Sequence, residues 1–284
     1  MKINKPKKPQ TRGKYLIIDP RGRIKGQNDP SIFGKEVESV SAYIDQNHIS
    51  KLSMCGETVD IIKVNSKTET AAVLSVRGTG IGKEIKVSFI DTEFDESEFL
   101  AAQNMVAVTN YVNEQGIVET FELSSFAKQI VDKMKEETPS IFVNVFTRGG
   151  SFTCNATKIQ LAVVSAIAMA HEISPTRPID LYVNLSRSGL EIKVIVRTDT
   201  LKIGKSLQEV ESIFPRASIR LSLLEATCET QGIEYELTAM NKSVTVRFVS
   251  KEEQITELRA RPFFASALDA IIRAFKPNLQ NNQL

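Results

Sequence analysis

Two hydrophobic periods alternate along the second half of the chain. In Asn155–Glu172, residues Ile159, Val163, Ala166, Ile167 and Ala170 recur at i, i+4, i+7, i+8 and i+11, one apolar face of a helix. Ser165, Met169 and Glu172 fall on a second face, which is either a ligand wall or the back of a core helix. On period alone it reads as packing. The segments around it also alternate. Thr120–Leu123 reads as a strand, and Ser124 as the cap of a helix over Ser125–Glu137 with Phe126, Ile130, Val131 and Met134 inward. Ile141–Phe146 reads as a strand, followed by a glycine-bearing loop from Arg148 to Thr153. Ile179–Leu185 and Leu190–Arg197 form a hairpin, Ser206–Phe214 and Ser218–Gln231 are helices, and Ile233–Thr238 with Val244–Val249 form a second hairpin.

The first half reads as a smaller sheet. YLII (15–18), a turn at Asp19–Gly22 and a return strand from Arg23 are followed by helical or turn-rich segments through Leu52. Strands are expected at Thr58–Val64, Thr70–Arg77 and Glu84–Asp91. Gly78, Gly80 and Gly82 lie between the last two, so they read as a hairpin loop rather than a phosphate cradle, which needs a following helix. Asp95–Gln115 is the next helix, with Asp95 as its cap, and it packs on another helix of this chain or of a second copy. Pro262 opens a terminal helix with Phe263, Phe264, Leu268, Ile271, Ile272 and Phe275. That face must be covered, either by this chain's own domain or by a dimer or partner contact.

Composition narrows the class. The chain has 284 residues with 42% hydrophobic and 25% charged, ordinary for a globular protein of one to three domains. The net charge of +2 gives no global field toward nucleic acid or membrane. Residues 1–13 are locally basic and proline-bearing, and read as a disordered tail, with an acidic partner or RNA as the alternative use. Cys55, Cys154 and Cys228 are far apart and form neither a zinc spacing nor a disulfide framework, which fits a reducing cytoplasm. No apolar run is long enough to span a bilayer, and the N-terminus lacks an apolar signal core.

Two resemblances organise these elements. YLIIDPRGRI, then Asn28 and FGKEV (33–37), with VSFIDTEF (87–94) as the closing strand, resembles a PAS sensor domain. The order strand, helix, strand, helix, hairpin, helix, helix, hairpin over 118–250 resembles the ATP-binding domain of sensor histidine kinases, a branch of the GHKL ATPases. The strings VETFELSSFAKQIVDKMKEE, LEIKVIVR, VESIFP, SIRLSLLEATCETQGIEYEL and SVTVRFV carry that resemblance. It implies an α+β chain. A basic tail (1–13) precedes a PAS-like antiparallel sheet domain (14–94). A connector helix (95–117) leads to an α/β sandwich of the kinase ATPase type (118–250), and a C-terminal helix and tail (251–284) follow.

The family's chemistry is absent from the positions that should carry it. The resemblance places the two asparagines of the N box at Ser165 and Met169. It places the aspartate of D-x-G-x-G at Arg197, its glycines at Asp199 and Leu201, and the second glycine box at Ser218–Leu221, which contains Arg220. Mg²⁺ needs hard oxygen ligands, and a thioether is a soft one. An arginine has donors only, so it cannot accept the adenine amino group's hydrogen bond. Losing two charge-assisted contacts of ~1.5–3 kcal/mol each removes ~3–6 kcal/mol, roughly a hundred- to ten-thousand-fold in affinity. Of the two histidines, His48 reads as a loop or helix-edge residue and His171 as a partly exposed residue near a helix end. Neither lies in the 95–115 helix, where a phosphoacceptor would be expected. Arg197, Lys202, Lys205 and Arg220 would ring the old site, as solvated surface charge or as a hold on an anion or acidic partner. Glu172 completes these vestigial pocket positions.

These expectations point to a cytoplasmic, non-catalytic signalling protein of the bacterial two-component kind, a pseudokinase with no catalytic residue, no metal site and no ATP or Mg²⁺. It would act by binding a response regulator or another regulator, or a second copy through 95–115 or 262–275. The alternative is an ATP-binding kinase or ATPase with a diverged site, and a third is a scaffold in which neither domain holds a small ligand.

Overall fold

The computed structural model of the protein describes residues 14–27, 45–54, 58–63, 71–77, 83–90, 96–115, 118–186, 189–198, 215–240, 242–250, 268 and 271–272. Its first half is a five-stranded antiparallel sheet in the order β2-β1-β5-β4-β3. The strands are β1 (Lys14–Ile18), β2 (Ile24–Gln27), β3 (Val59–Lys63), β4 (Ala71–Arg77) and β5 (Glu84–Ile90). The β1–β2 turn forms as expected, because the Asp19 carboxylate accepts the backbone N–H groups of Arg21 and Arg23, both at 2.9 Å. Strand alternation splits the sheet into two faces. Leu16, Ile18, Val76, Ile85 and Val87 are buried on one. Helix α1 (Gln46–Met54) buries Ile49 and Leu52 and brings His48 Nε2 to 2.7 Å from Asp60 on β3, on that face.

The second half holds a mixed sheet in the order β11-β12-β10-β9-β7. Its strands are β7 (Val143–Arg148), β9 (Ile179–Ser186), β10 (Gly189–Arg197), β11 (Glu234–Met240) and β12 (Ser243–Ser250). β7 runs parallel to β9 and every other pairing is antiparallel. Alternate residues (Leu181, Val183, Ile192, Val194, Val246 and Phe248 among them) are buried on the inner face. A short pair, β6 (Glu119–Glu122) with β8 (Ser151–Cys154), flanks this sheet.

Three expectations are corrected here. The segment from Arg148 to Thr153 is not all loop: β7 continues through Arg148 and β8 begins at Ser151. Gly149 makes the switch between sheets at φ +123°, where a Cβ would lie 2.7 Å from that of Leu185. Four residues are too few to show a period, and β8 exists because β6 lies opposite it. Helix α3 (Leu123–Glu137) is capped not by Ser124 but by Glu122, whose carboxylate accepts both the Ser125 N–H (2.7 Å) and the Ser124 hydroxyl (2.6 Å). The helix expected at Ser218–Gln231 starts earlier, as α5 (Pro215–Thr230). Residues 1–13, Asp95, Gly78–Gly82 and Ser206–Phe214 lie outside the described residues.

Helices α2 (Glu96–Gln115), α4 (Ala156–Ile173) and α5 form a layer between the two sheets: α2 and α5 meet the first, α4 and α3 the second. Val59 and Ile61 of the first sheet therefore share one continuous core with the helices and the second sheet. Asn110 explains why a polar residue interrupts the apolar stripe of α2. Its side-chain amide accepts the Val59 N–H and donates to the Val59 carbonyl, both at 2.8 Å. Lys86 of β5 reaches across the layer to Glu225 (2.8 Å) and Glu229 (2.9 Å) of α5, with only 3% of its side chain exposed. Leu268, Ile271 and Ile272 of the terminal segment are buried in the same core, so this chain covers them itself.

Candidate functional site

The wall that the sequence singles out belongs to α4, which is buried on every side. Asn155 caps it, accepting the Lys158 N–H at 3.2 Å. From Ala156 to His171, only Lys158 is more than marginally exposed. The open choice between ligand wall and packing is thus resolved locally. Met169 is fully buried, and Ser165 is buried with its hydroxyl donating to the Leu161 carbonyl at 2.7 Å. One turn on, the Glu172 carboxylate accepts from Nε of Arg220 on α5 at 2.5 Å. Their side chains are 7% and 3% exposed, so this is a buried ion pair clamping α4 to α5. The three α4 positions offer one thioether, one hydroxyl bonded to its own helix and one carboxylate already paired.

Two expectations fail at this point. Arg220 is not solvated surface charge: it is buried and neutralised by Glu172. His171 is not partly exposed: it is buried on α4, and burial, followed by the positive charge of Arg220, holds its pKa below the ordinary 6.5. The sequence carried a faint signal of the first, a Glu and an Arg each on a helix with an apolar side. Arg197 is exposed at the end of β10, opposite Ser243. Asp199, Leu201, Lys202 and Lys205 lie outside the described residues, and of Ser218 only its place in the first turn of α5 is described. His48 sits on α1 and faces Asp60, so it is a helix residue with a carboxylate partner.

Solved structures similar to this chain include histidine kinases. The Acinetobacter baumannii histidine kinase AdeS aligns over 57% of this chain and 88% of its own, with 10% identity and a TM-score of 0.43. The ATP-binding domain of PrrB from Mycobacterium tuberculosis aligns over 48% of this chain and 98% of its own, with 18% identity and a TM-score of 0.37. A histidine kinase from Burkholderia phymatum aligns over 52% and 76%, with 16% identity and a TM-score of 0.38. No protein-family model and no curated protein matches the chain.

Two concavities lie elsewhere. A groove of about 570 Å³ runs between α3 and β7, lined by Ser124, Lys128, Val131, Asp132 and Lys135 on one side and residues 143–147 on the other. A cleft of about 170 Å³ lies between the start of α4 and the ends of β11 and β12, beside Lys158 and Gln231. Neither is lined by Ser165, Met169, Glu172 or Arg220. Among the described residues no group of three His, Cys, Asp or Glu side chains is placed to hold a metal, and no helix is long and apolar enough to cross a membrane.

Proposed function

We propose that the protein is a non-catalytic signalling component built on a histidine-kinase-like ATPase fold, and that it acts by binding other proteins. The observation that carries this is the closed α4–α5 seam. Where the resemblance asks for two asparagines, Met169 is fully buried and Ser165 is bonded within its helix, and beside them Glu172 is locked to Arg220. A metal-bound triphosphate needs free hard oxygens and space, and these side chains offer neither. The five-stranded first-half sheet, with α1 joined to β3 on one face, supports a PAS-like sensor reading, and its other face lies directly on the helix layer. A signal received there would reach α5 through Lys86 without a flexible linker. The partner class is a response regulator or a comparable regulator.

The test is thermal unfolding with and without Mg-ATP. A ligand at a hundred times its Kd stabilises by about 2.7 kcal/mol, a rise of about 5–11 °C for a protein of this size. We expect no rise at 1 mM Mg-ATP. A magnesium-dependent rise of several degrees would replace this reading with a working nucleotide site.

A further inference from the structure

We propose that the groove between α3 and β7 is a docking site for an extended, acidic segment of a partner protein, which adds as a sixth strand to the second sheet. The proposal supplies a surface for the protein-binding reading above and rests on it only for the kind of partner.

β7 ends its sheet, with β9 as its one neighbour among the described residues. The Ile179 N–H donates to the Phe142 carbonyl at 2.8 Å, which fixes the direction of every backbone group along β7. In a parallel ladder alternate residues turn the same way, so Val143, Val145 and Thr147 present N–H and C=O outward to the open edge. An unblocked edge of this kind is a template for another strand. Natural edges are protected by prolines, bulges or inward charges, and β7 has none of these in VNVFTR. The edge exposes apolar surface instead: Phe142, just before β7, is 62% exposed, Phe146 45% and Val145 37%.

The charge beside the edge selects the occupant. Ser124, Lys128, Val131 and Lys135 recur at i, i+4, i+7 and i+11, so one stripe of α3 runs along the groove. Lys128 and Lys135 are seven residues apart, ~10.5 Å along a helix, with Val131 between them. A strand carrying acids at i and i+4, ~13 Å apart, and an apolar residue at i+2 matches that order within the reach of lysine side chains. Neither lysine forms an ion pair among the described residues, whereas Lys133 of the same helix pairs with Glu136 at 3.1 Å. Asp132 is the one acid in the lining, and nearby Asp180 already accepts a hydrogen bond from the Asn144 amide at 2.9 Å. A second copy is the poorer occupant. Pairing β7 with itself about a two-fold axis sets the two α3 helices antiparallel, Lys128 and Lys135 against the same two lysines.

The experiment uses the full chain and a fluorescent eight-residue peptide with glutamates four apart, valine midway between them and threonine at the alternate positions. A control peptide has lysine in place of both glutamates. Fluorescence anisotropy is expected to show saturable binding of the glutamate peptide and at least about tenfold weaker binding of the control. Lys128→Glu with Lys135→Glu, both exposed substitutions, is expected to exchange that preference. Val145→Pro removes one outward N–H without touching the β9 ladder and is expected to abolish binding, with unchanged far-ultraviolet circular dichroism. Absence of saturable binding by either peptide, or binding indifferent to the charge exchange, overturns the proposal. So does a dimer in light scattering that Val145→Pro converts to monomer, which would make the occupant a second copy. A Mg-ATP shift on the same sample would sink the non-catalytic reading and leave the peptide result standing, so the two failures are distinct.

Discussion

Replacing Glu172 by alanine tests the closed seam directly. The carboxylate is 2.5 Å from Nε of Arg220, and the two side chains are 7% and 3% exposed. Removal of one partner leaves a buried guanidinium that cannot deprotonate, at a cost of ~3–5 kcal/mol. For a protein of this length that corresponds to a loss of ~6–20 °C in Tm. Arg220→Ala should behave differently with pH. It leaves a buried carboxylate, which can shed its charge by taking up a proton, so the penalty shrinks as pH falls. The Glu172→Ala penalty has no such escape. Glu172→Leu with Arg220→Met, which removes both charges and keeps most of the volume, should recover most of the loss, because an intact buried pair nets little over apolar packing. Urea unfolding of the four proteins at pH 7 and pH 5 measures each loss. The reasoning is refuted if Glu172→Ala costs less than ~1 kcal/mol, or if the double substitution costs as much as the two single ones together.

Glu122, His171 and Lys86 each give a further expected outcome. Glu122 caps α3, and hydrogen bonds from Ser124 and Ser125 lower its pKa from 4.5 to about 2. The folded pKa is depressed, so its contribution is complete above pH 4.5 and is lost as pH falls toward about 2; Glu122→Gln should flatten α3 stability over that window, read by circular dichroism at 222 nm. His171 is held below 6.5 by burial and Arg220, so only the unfolded chain takes up the proton as pH drops through 6.5, and stability falls. His171→Asn should remove that slope in the urea midpoint. Lys86→Met leaves Glu225 and Glu229 buried without their cation and should lower Tm by ~6–20 °C, with faster amide exchange in β5 than in β10.

How much of this was legible depends on the range of the physics involved. The sequence alone determined the elements: the 3.6 period of α4, the alternation of both hairpins and the Asp19 turn are set by neighbours within about a turn. It also determined that positions 165 and 169 offer no asparagine. Elements whose identity comes from a distant partner were out of reach. β8 is a strand only because β6 lies opposite, and Glu122 takes the capping role only because the chain enters α3 directly from that short sheet. The second face of α4 was the sharpest such case. A periodic helix states which residues share a side, never what covers that side. Only the tertiary structure, by bringing α5 against α4 and the first sheet over α5, placed Glu172, Arg220 and Lys86 in buried ion pairs. A charge on a helix reads the same in sequence whether water or another helix faces it, and the difference is the long-range packing that no local pattern encodes.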